Sequence, residues 1–335
     1  MVKPTLLDVK NLAIQYTMRG GVIHAIDGVS FEVKAGECFG LVGESGCGKS
    51  TAAKAILGLW APNAAVTAGE IIFNGRDLLR IERGDLSRVR WKEIALIPQN
   101  AMNALDPVYT IFDQIYEAMR IHKNVRKPEA RERIAELFGL VGLKEDILTH
   151  FPHQLSGGMK QRVCIAMALA LEPQLVIADE PTTALDVLIQ DQILQLIKGL
   201  QIRLQVAVLY ISHDISIISH MCTRIAVMYA GRIVELGDLR GVLKTPYHPY
   251  TMGLLNATPN IGQVRELISI PGVPPDLRVV PKGCRFAPRC PFVKDQCRLE
   301  DPDLYAVDGD RRARCFFTSE ALTFRELAQQ EQTWK

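Results

Sequence analysis

The chain reads as an α/β protein, a nucleotide-binding core with a β-subdomain laid against it. Three observations carry that reading. Gly43-Glu44-Ser45-Gly46-Cys47-Gly48-Lys49-Ser50-Thr51 fits the phosphate-loop pattern G-x-x-x-x-G-K-[ST], between the apolar run Phe39 to Val42 and the helix formers Thr51 to Leu57. Leu175 to Ala178 is an apolar strand that delivers two carboxylates, Asp179 and Glu180, at the end facing ligand in open α/β sheets. Short strands bounded by turns precede the loop.

Each position of the phosphate loop has a physical job. Its glycines let successive backbone N–H groups turn inward around phosphate oxygens. Lys49 sets a compact positive charge on the β- and γ-phosphates, and the Ser50 hydroxyl can ligate Mg²⁺. The helix that follows presents its N-terminus to the anion. Upstream, Leu6 to Tyr16 alternates as a strand, Gly20-Gly21 forms a hairpin turn, and Val22 to Ile26 and Val29 to Val33 follow as two further strands. Tyr16 is placed either to stack on a purine or to pack within the sheet.

Downstream, Glu70 to Phe73 is a strand closed by Asn74-Gly75, and Ile94 to Pro98 runs into a loop at Gln99. Residues 111–140 are helical, with Pro128 opening a second helix and the basic residues from Arg120 to Arg133 on a solvated face. Ser156 is a helix N-cap before Gly157 and Gly158, whose backbone N–H groups stand open at a helix start. At the tip of the Asp179 strand one carboxylate can hold Mg²⁺ and its neighbour can orient or deprotonate a water. Asp186 begins a helix with Ile189, Ile193, Leu196, Ile197 and Leu200 on one face. Val206 to Ile211 is the next strand, and His213 beyond it is a candidate contact for a γ-phosphate.

A length of 335 residues allows about two domains. The net charge of +2 exerts no overall pull toward nucleic acid or membrane. No apolar run approaches the ~18–20 residues of a membrane span, and Met1 to Thr5 lacks a signal-peptide core. A cytoplasmic setting is therefore expected, where disulfides are rare. Cys38, Cys47, Cys164 and Cys222 are scattered and read as small buried hydrophobes.

Taken in order, these motifs resemble those of ABC-type ATPases over residues 4–260. Gly43 to Ser50 is similar to the Walker A loop and Leu175 to Glu180 to the Walker B strand. Gln99 is similar to the Q-loop, Leu155 to Gln161 to the signature (with Met159 where Gln is commoner), Thr183-Ala184-Leu185-Asp186 to the D-loop, and His213 to the switch histidine. The resemblance implies a RecA-like core with an antiparallel β-subdomain and a helical subdomain at about residues 100–170. It implies a head-to-tail dimer sandwiching two ATP molecules, each phosphate loop facing Ser156, Gly157 and Gly158 of the partner. By the same resemblance Tyr16 stacks on adenine, Asp186 belongs to the nucleotide site, and Ser50, Gln99 and Asp179 serve Mg²⁺. Glu180 is then the catalytic base, with Lys49, Gln99 and His213 on the γ-phosphate.

The tail narrows the family. Tyr247-His248-Pro249-Tyr250-Thr251, Ile270-Pro271-Gly272 and Pro281 to Pro291 resemble the extension, here residues 261–335, of oligopeptide/dipeptide importer ATPases. That implies an ATPase coupled to transport (a translocase) at the cytoplasmic face of the membrane. Its partners would be a second ATPase subunit, a paralogue giving a heterodimer, two transmembrane permeases and an extracytoplasmic solute-binding protein, with no nucleic acid. Nickel and oligosaccharide importers share the tail. Cys284, Cys290, Cys297 and Cys315, spaced C-x₅-C-x₆-C-x₁₇-C, gather in this Pro-rich, core-poor segment and suggest a metal that supplies folding energy. Their pattern is similar to that of class members with a [4Fe–4S] cluster; Zn²⁺ is the alternative, although the C-x₂₋₄-C spacing of zinc knuckles is absent.

A reading from another class is a soluble ABC-type ATPase of DNA repair or translation. Repair types insert a long coiled coil between the motifs, whereas Ser50 and Leu155 here stand 105 positions apart with no sustained heptads between them. Translation types fuse two cassettes, and one is present. An exporter is disfavoured by the tail.

Overall fold

The computed structural model describes residues 3–99, 101–183, 185–258 and 267–335. In chain order the elements are β1 (Thr5–Met18), β2 (Gly21–Lys34), β3 (Cys38–Val42), α1 (Lys49–Ile56), β4 (Ala64–Phe73), β5 (Arg76–Asp77), α2 (Arg83–Val89) and β6 (Ile94–Ile97). Next come α3 (Ile111–His122), α4 (Lys127–Leu140), α5 (Gly157–Leu169), β7 (Leu175–Asp179), α6 (Val187–Leu204), β8 (Ala207–Ser212) and α7 (Ile215–Met221). The remainder is β9 (Arg224–Tyr229), β10 (Arg232–Asp238), α8 (Leu239–Lys244), α9 (Pro249–Asn256), α10 (Asp295–Leu299), β11 (Tyr305–Asp308), β12 (Arg311–Ala313) and α11 (Ala321–Ala328). Among the described residues no helix is long and apolar enough to cross a membrane.

The chain divides into two compact units. One combines residues 34–38 and 80–210. Its strands β6 and β7 run parallel, Ile94 opposite Leu175 and Ile97 opposite Ala178. Every residue of β7 is buried, which is why a parallel strand reads as a continuous apolar run. The helices have sequence-encoded starts: the Thr110 hydroxyl accepts from the Asp113 amide at 3.2 Å, and Pro128 lies in the first turn of α4. Ile115, Ala130, Ile134 and Phe138 are buried where α3 packs on α4. The basic face is solvated as expected, Arg126 pairing with Glu129 and Arg131 with Glu145 at the surface.

The other unit combines residues 5–33, 39–79 and 211–335. An antiparallel sheet of order β2-β1-β4-β5 forms the β-subdomain. A second run of strands has the order β11-β12-β10-β9-β3. Within it only β3 and β9 are parallel, Phe39 opposite Arg224 and Val42 opposite Val227.

One expectation changes: Val22 to Ile26 and Val29 to Val33 are one strand, β2, which runs through Asp27 and Gly28. The tail lies in the same compact unit. A division between 260 and 261 falls among residues outside those described, but on both sides of it the chain packs into this same unit. The tail strand β12 pairs with β10, Glu235 opposite Ala313. Its core-poor sequence is held instead by buried arginines, whose forked donors suit carbonyls and carboxylates. Arg314 donates to the Ile233 and Pro302 carbonyls at 3.0 and 2.7 Å. Arg311 donates to the Thr245 hydroxyl at 2.8 Å. Arg285 donates to the Ala230 carbonyl at 2.5 Å and pairs with Asp27. Tyr229, Tyr250 and Phe286 join strand, helix and tail in one buried aromatic nest, with centroids 4.6 to 5.5 Å apart.

Removing the Phe138 ring should leave a cavity between α3 and α4. Phe138→Ala is expected to cost about 3–5 kcal/mol in the denaturant transition of the helical unit; a loss below about 1 kcal/mol would mean the ring is not packed as described.

Candidate functional site

The phosphate loop leaves β3, all of whose residues are buried, and is pressed hard against its neighbours. A Cβ on Gly43 would lie 2.1 Å from the Met228 carbonyl oxygen, and one on Gly48 would lie 2.6 Å from that of Ala25, with Gly48 at φ 108. Only glycine fits at either place. No side chain caps α1, so its first amides are left for an anion. Ser45 and Gly46 form the exposed crest, and Ser50 and Thr51 sit half-buried in the first helical turn. Lys49 is buried and folds back along the loop, its Nζ donating to the carbonyls of Gly43 at 2.7 Å and Glu44 at 3.0 Å. Burial pushes the Cys47 thiol up, so it is a packing residue here and not a nucleophile.

Glu44 carries contacts that the motif did not announce. Its N–H donates to the Tyr250 hydroxyl at 2.9 Å. Its carboxylate accepts both Arg289 terminal nitrogens, at 2.8 and 3.1 Å. Arg289 is 245 positions away, and its only sequence signal was a charged residue beside Cys290. In the same unit Tyr16 is half-buried in β1 opposite Ala64, and His213 is exposed just beyond β8.

The other unit holds the acidic residues singled out in the sequence. Asp179, the last residue of β7, is 8% exposed. Glu180 follows in the left-handed region at φ 45, an uncommon conformation for a residue with a side chain. The Gln99 amide donates to Glu180 Oε2 at 2.9 Å, and the Thr183 hydroxyl donates to the same oxygen at 3.1 Å. Two residues singled out separately in the sequence, 81 positions apart, thus meet. Ser156 caps α5 by accepting from the Met159 amide at 3.3 Å, with Gly157 and Gly158 in the first turn. Asp186 caps α6 through the Ile189 amide at 3.0 Å. Ala184 of the same motif lies outside the described residues.

Cys284, Cys290, Cys297 and Cys315 line one pocket, walled by Phe286, Phe292 and Phe324. Backbone amides two residues downstream point at three of the sulfurs: Phe286 at Cys284, Phe292 at Cys290 and Phe317 at Cys315. Such N–H···S contacts favour thiolate, while burial opposes it, pushing Cys284 up to about 11 and Cys315 up to about 12. These donors suit a thiolate-bound group whose positive charge offsets burial. Among the described residues no three His, Cys, Asp or Glu side chains converge as ligands of one metal ion.

Residues 26–183 match the family described as ABC transporter, and residues 234–297 match the oligopeptide/dipeptide transporter C-terminal region. A probable peptide ABC transporter ATP-binding protein of Sinorhizobium fredii is 46% identical over 95% of this chain and 96% of its own. The chain belongs to the ABC transporter ATPases. Its oligopeptide/dipeptide branch is shared with the dipeptide transport ATP-binding protein DppD of Escherichia coli, 43% identical over 93% of this chain and 96% of that one. Among solved structures, the dimeric post-hydrolysis state of the ATP-binding cassette MJ0796 with ADP and phosphate superposes with a TM-score of 0.63. It is 31% identical and covers 70% of this chain and 99% of its own. An ABC ATPase binds ATP, and the loop Gly43 to Ser50 carries the phosphate-binding pattern.

Gly48→Ala should therefore cost about 1–3 kcal/mol in backbone strain and displace the loop from Ala25. Calorimetry should show ATP binding weakened at least about tenfold; an unchanged affinity would mean the loop tolerates a Cβ there.

Proposed function

We propose that this chain is the ATP-hydrolysing subunit that energises uptake of dipeptides or oligopeptides through a membrane ABC importer. The observation that carries this reading is near-full-length likeness, tail included, to ATP-binding proteins named for peptide transport. The subunit works at the cytoplasmic face as a peripheral protein. Its partners are a second ATPase subunit, a paralogue, together with two permeases and an extracytoplasmic solute-binding protein.

Each ATP lies between the phosphate loop of one subunit and Ser156, Gly157 and Gly158 of the other, a glycine-led helix start suited to an anion. Tyr16 stacks on the adenine and Asp186 lies beside the nucleotide. Ser50, Asp179 and the Gln99 amide oxygen are hard oxygen donors suited to Mg²⁺, which when bound neutralises charge on the β- and γ-phosphates. Glu180 takes the proton of the attacking water. The Gln99 and Thr183 bonds both reach Oε2 and fix the direction of its carboxylate. His213 and Gln99 report the γ-phosphate. At the four cysteines the group is a [4Fe–4S] cluster in a structural role, which the shared pocket and the N–H···S amides support.

Lys49→Ala should reduce ATP turnover of the reconstituted transporter at least about 100-fold; undiminished turnover would remove the phosphate-site assignment. Glu180→Gln should still bind ATP yet hydrolyse it about 100-fold or more slowly, trapping the closed dimer on gel filtration. Rapid phosphate release by that variant would reject Glu180 as base. Protein purified without oxygen should carry about four irons and four sulfides per chain, whereas zinc at one per chain would reject the cluster.

A further inference from the structure

We propose that Arg289 is a positioning residue of the nucleotide site, holding the phosphate loop through Glu44 and tying ATP affinity to the four-cysteine segment. The geometry is specific. Arg289 is 9% exposed. Its guanidinium reaches Glu44 Oε2 and Oε1 at 2.8 and 3.1 Å, the Pro271 and Ile270 carbonyls at 2.8 and 3.3 Å, and the Tyr229 hydroxyl at 3.3 Å. Those contacts occupy all of its donating nitrogens. Every polar group of Glu44 is likewise engaged: the N–H with Tyr250, the carbonyl with Lys49 and the carboxylate with Arg289.

Charge makes this contact matter for binding. A carboxylate in the phosphate loop repels the polyphosphate unless a cation neutralises it, and a planar fork does so while fixing direction. With Glu44 drawn to one side, the loop beyond it is held in its turn, the Cys47 amide donating to the Glu44 carbonyl at 3.3 Å. Arg289 in turn is placed by its neighbours. It precedes Cys290, and Arg285, which follows Cys284, binds Asp27 and the Ala230 carbonyl. Between the two cysteines the chain thus sends thiols to the pocket and the Arg289 guanidinium to the phosphate loop. Loosening the cysteine end frees the arginine end.

The test measures the Kd of the purified full chain for ATP by calorimetry in EDTA, which blocks hydrolysis. Arg289→Gln should raise Kd about tenfold, and adding Glu44→Gln should restore affinity to within about threefold of wild type, because the unpaired acid is gone. A purely structural role for Arg289 would not be rescued in this way. If Arg289→Gln does not fold, Arg289→Lys keeps the charge, loses the fork and should give an intermediate Kd. The cysteine arm rests on the cluster proposed above: Cys290→Ser should lose iron and raise Kd, and should raise it no further when Glu44 is already Gln. Wild-type affinity in Arg289→Gln, or in Arg289→Lys where that is the variant measured, overturns the positioning role. Loss of iron with unchanged affinity overturns the link to the cysteines. If Lys49→Ala also leaves ATP binding intact, the nucleotide site itself is misassigned; if it abolishes binding while Arg289→Gln does not, only the positioning role falls.

Discussion

A phosphate loop must leave its amides uncovered while its flanks are packed solid, and that constraint organises the unit around it. Gly43 and Gly48 come so close to the Met228 and Ala25 carbonyls that backbone touches backbone. Such contact gives the loop its shape without spending a side chain on it. The amides of α1 then remain for the ligand, and the Lys49 ammonium is kept by carbonyls of the loop itself. What stands behind the loop has to be rigid. Parallel β3 and β9, the aromatic nest of Tyr229, Tyr250 and Phe286, and the buried arginines of the tail supply that rigidity.

The end of the Asp179 strand solves a different problem, which is to hold an acidic side chain in one direction. Glu180 is aimed by backbone in an unfavourable conformation and by two neutral donors on a single oxygen. Gln99, reaching it from the end of β6, makes that aim depend on a second segment of chain.

Much of this was legible because it is local. Phosphate loop, carboxylate strand, caps and periodic helix faces all depend on residues within a few positions of one another, and Ser156, Pro128 and Asp186 sit where their side chains start helices. What was not legible depends on distance along the chain. Nothing near Glu44 names Arg289, and nothing near β10 announces that β12 will lie beside it. Val22 to Ile26 and Val29 to Val33 read as two strands, yet β2 runs through Asp27 and Gly28 between them. The cysteine spacing identified four partners and left their geometry open, because one pocket is assembled from residues spread over some thirty positions.

The pairing of β12 with β10 carries one more consequence. In a cassette shortened before the tail, β10 would be the outermost strand, with a row of bare N–H and C=O groups along one side. Ile233 and Val234 are buried there, so the bare rim would also be apolar. Such a rim seeks another strand, from a second molecule if none is tethered nearby. The tail thus covers an edge of the sheet that would otherwise stand open to another strand.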